Sequence, residues 1–469
     1  MMNLPLSSFL LAGIAAIPAT AQNVTSLANL NTRGHCAGVW GYTAPDGREF
    51  AIVGARQGTW IVETTDPVNP VEIAHLTAPP SSWREVTMYR QYVYSVSEAH
   101  SGIRIIDMSN PSSPQDLGYV FQSTWPNSHS ITIDPDAGRL YINGTRNGMY
   151  ILDVATNPAS PTIIGRYTTN YVHDSYVRRG KAYLSEIYDG NLRIVDVTNP
   201  ANLVTVSATQ TPGAFTHNAA VSDDDELLIT SDENATGYMQ AYDIRNPAAP
   251  LPLGSYVLPG EIVHNVFMIG RTAYMAAYSA GFHMVDLANP SSLTKLASYD
   301  TSPSYTSNFH GSWGCYPFQD SGVIYMSDRE TGLHLLQVDC GHLNRYGDGT
   351  PGVNAAVPRA IFDGASPAVG AAGLRLEIEN LAPSAAFVTL VSTASAAVPL
   401  LGIDLLVDLN SSVGLGGTAQ PDGSADLPLP IPADPTLANA RIYMQIVGVD
   451  AAGPQGLSAS RGMWFGICP

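Results

Sequence analysis

Lysine is nearly absent from this chain: Lys181 and Lys295 are the only two in 469 residues, and Lys plus Arg number 22 against 40 Asp plus Glu. A net charge of -18 leaves no basic footprint to neutralise phosphates, which excludes nucleic acid as a partner. Beyond the N-terminus no apolar run is long enough to span a bilayer. Cysteine is scarce as well, with four residues at 36, 315, 340 and 468 and none in a metal-type C-x-x-C pair. Neither a Ser/His/Asp nucleophile elbow nor a phosphate-cradling glycine loop is present.

The N-terminus is the exception in hydropathy. An apolar run from Phe9 to Ile17 precedes Ala19-Thr20-Ala21, a small-x-small cleavage site, so residues 1–21 read as a signal peptide and Gln22 as the start of the mature protein. The expected location is secreted or cell-surface associated, a compartment that permits disulfides.

What is present is a repeat. A Gly-x-x-aliphatic-aliphatic-Asp core, best seen in Asn191-Leu192-Arg193-Ile194-Val195-Asp196, recurs in its general form after Gly58 (with Glu63 in place of Asp), Gly102, Gly148, Gly190, Gly237, Gly281 and, with Gln in place of Asp, Gly332. The glycines are 44, 46, 42, 47, 44 and 51 residues apart. Around Gly190, period-two alternation predicts strands over His173 to Val177, Ala182 to Glu186 and Leu192 to Val197, separated by turns at Arg179-Gly180 and Asp189-Gly190. Four short strands per unit of about 40–45 residues is the pattern of a β-propeller blade. The expected fold is all-β: a seven-bladed β-propeller over 22–339, a Gly-rich linker over 340–352, and a small C-terminal β-sandwich-like accessory domain over 353–469.

A second periodicity marks the start of each unit's first strand, at His35, Arg84, His129, His173, His217, His264 and His310, with spacings of 49, 45, 44, 44, 47 and 46. Six of the seven are histidine, and they are expected around one mouth of the central channel. Residues equidistant from a hairpin turn sit opposite each other. That rule sets Glu98 against Arg84, Asn143 against His129 and Glu186 against His173. It brings Asp232 or Glu233 near His217 and Asp328 near His310, and leaves His264 facing Ala277.

Three readings of these side chains stand together. They are polar clasps between blades, or ligands of a transition metal ion (His129, His173, His217, His264 and His310 converging in part), or acid–base groups acting on a ligand in the mouth. Binding of an extracellular protein, glycan or small molecule at Arg84, Glu98, His129, His173, Glu186, His217, His264 and His310 is the leading function. A metal-dependent oxidoreductase or polysaccharide lyase is the alternative. Trp83 and Trp313 lie near the same mouth. His283 and His334 read as packing residues, and Asp223-Asp224-Asp225-Glu226 as a turn. Blade closure predicts a Cys36–Cys315 bridge, and Cys340–Cys468 would tie the tail to its own start.

The strings TRGHCAGVWGYTAPDGREFAIVG (Thr32 to Gly54), SWREVTMY (Ser82 to Tyr89), NSHSITID (Asn127 to Asp134), YVHDSYV (Tyr171 to Val177), VHNVFMIGRTAYMAAYSAGFHMVD (Val263 to Asp286) and HGSWGCYPFQDSGVIYMSD (His310 to Asp328) resemble the secreted choice-of-anchor B proteins, built of LVIVD-type repeats. The resemblance implies an exported, often surface-attached propeller and brings no established reaction. This chain departs from the family in lacking a C-terminal apolar helix, a basic tail and a sortase-type motif.

Overall fold

The computed structural model describes residues 23–306 and 308–469. The signal-peptide reading falls on residues 1–21, outside the described residues. There is no α-helix among the described residues, and none of their helices is long and apolar enough to cross a membrane.

From Val24 to Val338 the strands group into seven four-stranded antiparallel sheets. The sheet around Gly190 shows the plan: Asp174–Arg178, Lys181–Glu186, Asn191–Asp196 and Val204–Gln210 run as a meander. Its first turn is the two-residue loop Arg179-Gly180, with φ of 45° and 75°. Both central residues left-handed is the hairpin geometry that matches strand twist.

The recurring motif is explained by its bonds. The terminal Asp of the third strand caps the turn that follows: Asp107, Asp153, Asp196, Asp243 and Asp286 each accept the backbone N–H two residues on, at 2.8–3.0 Å. The Asn of the following Asn-Pro repeats the device, as in Asn199 to the N–H of Ala201 at 3.1 Å. These are Asx turns in tandem. The leading glycine is required sterically. At Gly102, with φ 72°, a Cβ would stand 2.0 Å from the carbonyl of Val120 on the outer strand.

The first strands of the seven sheets (Cys36–Thr43, Arg84–Tyr89, Ser130–Asp134, Asp174–Arg178, Thr216–Val221, Val266–Ile269 and Ser312–Tyr316) touch in succession, and the last touches the first. They form the inner ring of a β-propeller. Closure is made by the N-terminal strand: Val24–Leu30 pairs with Gly332–Val338 and becomes the outer strand of the last sheet.

Beyond Asn344 the chain builds a larger sheet whose strands include Ala386–Ser392, Arg441–Val449 and Gly462–Gly466, and a three-stranded sheet of Arg359–Gly364, Leu374–Glu379 and Ala425–Pro428. The two share one apolar core, with Leu376 and Ile378 against Met444, Ile446 and Phe465. This region docks on the propeller. His342 accepts from the Tyr274 hydroxyl at Nδ1 (2.8 Å) and donates from Nε2 to the Gly322 carbonyl (2.8 Å), and Ser366 bonds Thr272 and Asp286.

Cys340 and Cys468 are bridged. The expected Cys36–Cys315 bridge is not formed, and both are buried thiols. Cys36 packs with Val53, Trp60 and Leu335 between the first and last sheets, whereas Cys315 packs with Tyr274, Met284 and Ile324 between the sixth and last. The two side chains occupy opposite faces of the last sheet, so adjacency of the blades does not bring the sulfurs together.

Candidate functional site

All seven marked residues lie at or within two residues of the start of an innermost strand, and Arg84 begins one. Only four of the histidines come together. His129 and His173 have ring centroids 4.1 Å apart, His173 and His217 4.7 Å, and His217 and His264 4.1 Å. Trp313 continues the arc, 4.4 Å from His264. All five are buried. The site is an arc of four imidazoles ending on an indole.

His35 and His310 stand outside it. His310 is half-exposed, stacks on Tyr305 at 5.1 Å and bonds Glu330, not Asp328, through Nδ1 at 2.6 Å. Asp328 is occupied by the Thr301 hydroxyl and the N–H groups of Glu330 and Thr331. Arg84 is fully buried without a carboxylate, donating to the carbonyls of Ala55 (3.0 Å) and Pro79 (2.8 Å) and lying 3.2 Å from His100 Nε2. Burial lowers its pKa to about 10.

The carboxylate pairing differs from the hairpin expectation. The observed register sets Arg84 opposite Ser97 and Asn143 opposite Ser130, one residue off the expected pairs, and the residue just past a second strand, Glu98 or Glu233, reaches toward the next sheet. Glu98 therefore bonds His129 Nδ1 at 2.6 Å and not Arg84. Asn143 bonds Ser130 (3.1 Å) and accepts from Ser175 (3.2 Å). Glu186, fully buried, is engaged by Arg193 at 2.7 and 2.9 Å, Tyr167 at 2.8 Å and Asn170 at 2.9 Å, and leaves His173 without an acid. Asp232 holds the Thr211 hydroxyl and two loop N–H groups. Glu233 lies 3.9 Å from His217 Nε2 and 3.7 Å from His264 Nε2, and accepts from Tyr278 at 2.6 Å.

Electrostatics divide the arc. Burial disfavours protonated His129, but the Glu98 hydrogen bond and the charges of Glu98, Glu85 and Glu233 outweigh it and raise its pKa. Burial, reinforced by neighbouring imidazoles, holds His173, His217 and His264 well below the ordinary value. Among the described residues, neither ring nitrogen of His173 has a hydrogen-bond partner, nor has His217 Nδ1 or His264 Nε2. Two groups among them bring three ligand atoms within 4.8 Å of one another: His129, His173 and His217, and His217, Glu233 and His264.

One step further along the inner strands is an acidic layer, formed by Asp174 and Glu85. Asp174 accepts from Ser130 (2.9 Å) and Asn218 (2.7 Å), and burial raises its pKa. Glu85 accepts from Trp313 Nε1 at 2.6 Å, and burial pushes its pKa up to about 8. Both face a cavity of about 290 Å³ whose walls also include Trp40, Tyr176 and Phe267. The short polar residue after each histidine was the visible signal for this layer. Glu85, next to the one marked position that is not histidine, gave none.

Four segments of the chain, 83–120, 139–169, 187–211 and 262–301, match the LVIVD repeat. They cover well under half of the chain. The chain is a β-propeller carrying LVIVD repeats. No curated protein matches it. Among solved structures, U3-55K is similar over 67% of this chain and 98% of its own, at 11% identity and a TM-score of 0.50. The Cps50 (Swd1) β-propeller domain of Myceliophteria thermophila aligns over 66% of this chain and 99% of its own, at 9% identity and a TM-score of 0.48. Likeness at such identity speaks to the fold alone.

Proposed function

We propose that the chain is an exported seven-bladed propeller of the choice-of-anchor B type, with the tail over 353–469 as an accessory domain, that binds an extracellular protein, glycan or small molecule on its histidine-bearing mouth. Export is supported by the apolar N-terminal stretch and by the Cys340–Cys468 bridge, a bond that persists in oxidising compartments.

The observation that carries the binding reading is a set of exposed aromatics on that rim. Trp83 is 41% exposed, Tyr188 75%, Tyr305 38% and Phe309 47%. Trp83, Tyr305 and Phe309 precede first strands and Tyr188 follows a second strand, the end of the sheets at which His129 to His264 also sit. The exposed apolar residues of the outer strands, among them Leu117, Ile163, Val204 and Leu251, are aliphatic and scattered. Aromatic side chains present large contact area at low entropic cost and dominate binding hot spots.

The test is binding of the purified chain to arrays of oligosaccharides and extracellular-matrix peptides, repeated with a Trp83→Ala/Tyr188→Ala/Phe309→Ala variant. Affinity for ligands of the wild type should fall by roughly 10⁴-fold, at about 2 kcal/mol for each of the three anchors removed. Ligands that survive there but are lost in Trp40→Ala/Phe318→Ala would place the site at the opposite mouth and overturn the reading.

A further inference from the structure

We propose that His217, Glu233 and His264 hold one divalent transition-metal ion at the end of the histidine arc. The inference rests on the reading of this mouth as the working face, and names an ion as a resident ligand there.

Geometry is the first support. Glu233 Oε2 lies 3.9 Å from His217 Nε2, and Oε1 lies 3.7 Å from His264 Nε2. Those gaps are too long for hydrogen bonds. They are close to the roughly 3.4 Å that separates two donors, each about 2.0–2.1 Å from a tetrahedral centre. An imidazolium–carboxylate pair would have closed to contact, as Glu98 and His129 have at 2.6 Å.

The surroundings of the donors are the second. His264 Nδ1 donates to the Trp313 carbonyl at 2.6 Å, which fixes the tautomer and leaves the Nε2 lone pair facing Glu233. Tyr278 donates to Glu233 Oε1 at 2.6 Å. A carbonyl behind a histidine and a hydroxyl on a carboxylate are the partners that orient metal ligands. The His264 side chain is 1% exposed, yet its Nε2, the atom that faces Glu233, has no hydrogen-bond partner among the described residues. A buried polar atom left unpaired costs free energy that a ligand would recover.

Charge is the third. Glu233 supplies the negative charge a buried dication needs. The neighbouring group of His129, His173 and His217 offers imidazole alone, and its one carboxylate, Glu98, lies behind His129. Two imidazoles and a carboxylate suit zinc, iron, manganese or copper, with positions left open for an outside ligand.

The test is titration of chelator-treated full chain with Zn²⁺ by calorimetry and with Co²⁺ by visible absorption. One ion per chain is expected. Tyr278→Phe should weaken it by roughly 10–100-fold, and the near-isosteric Glu233→Gln by more. His129→Ala should leave it unchanged. Thermal melts confirm that each variant is folded. A wild type that retains no ion overturns the proposal. So does an ion lost in His129→Ala and kept in Glu233→Gln, because it then belongs to the neighbouring group. The rim arrays run on the same proteins separate the two readings. A metal-free wild type with rim-dependent binding sinks the ion alone, and an ion-loaded chain with rim-independent binding sinks the rim alone.

Discussion

Glu98 and His129, from neighbouring sheets, are joined across the sheet boundary by a 2.6 Å contact between Oε1 and Nδ1. The carboxylate stands just past the second strand of one sheet, and the histidine just before the first strand of the next. Glu233 repeats the placement toward His264 and Tyr278. One rule of propeller geometry thus supplies both acids of the arc.

The pair sets a first prediction. His129 has a raised pKa in the fold, so the stability it contributes is present below its unfolded value near 6.5 and is lost as pH rises through the folded value. Glu98→Gln should lower the His129 pKa in an NMR titration. Its melting temperature should fall below the wild type's at pH 6 and converge with it at high pH.

The other three imidazoles act in the opposite sense. Their folded pKa values lie below 6.5, so the unfolded chain binds more protons in that window and stability declines as pH falls from about 7. Each unit of depression is worth about 1.4 kcal/mol once both forms protonate. A pH series of melting curves should show this loss between pH 7 and 5, and His173→Leu should flatten it.

Glu85 gives a third expectation. Its folded pKa of about 8 exceeds the unfolded value, so the folded chain holds the extra proton and stability drops as pH rises between roughly 4.5 and 8. Glu85→Gln should raise the melting temperature at pH 8.5 and lose that advantage by pH 5, as calorimetry at the two values would reveal.

Glu186 is expected to be structural. Removing its charge strands the mostly buried Arg193 guanidinium, and breaking a buried pair costs about 3–5 kcal/mol. Urea denaturation of Glu186→Gln should report a loss of that order, with Zn²⁺ affinity unchanged.

Thiol counting checks the cysteines. The denatured, unreduced chain should yield two free thiols, Cys36 and Cys315, and one bridge. The Cys340–Cys468 bridge spans 128 residues of sequence, worth about 5 kcal/mol in the chain-entropy model. Cys340→Ser/Cys468→Ser should therefore melt the tail at lower denaturant than the propeller, seen by limited proteolysis.

Much of the fold was legible because the repeat is written in turn chemistry. In five units the Asp that closes the core caps the turn that follows, and the expected strands around Gly190 match the observed ones to within a residue. The strand Val24–Leu30 was not legible in its role, since VTSLANL carries no repeat core and its partner lies some 300 residues on. The site was half legible. Periodicity located His129, His173, His217 and His264, but it records only which residues occupy equivalent positions. Which side chains converge depends on rotamers and on the angle between adjacent sheets, so Glu186 was assigned to a histidine it does not touch and Trp313 was missed as the end of the arc.

The pairing of Val24–Leu30 with Gly332–Val338 also orders events in time. The residues that emerge first in the propeller are the last to find their place, because their partner strand is translated after every other sheet. The ring can therefore be completed only once both ends of the propeller have been made, and a site that gathers residues from His129 to Trp313 depends on that joining of the ends.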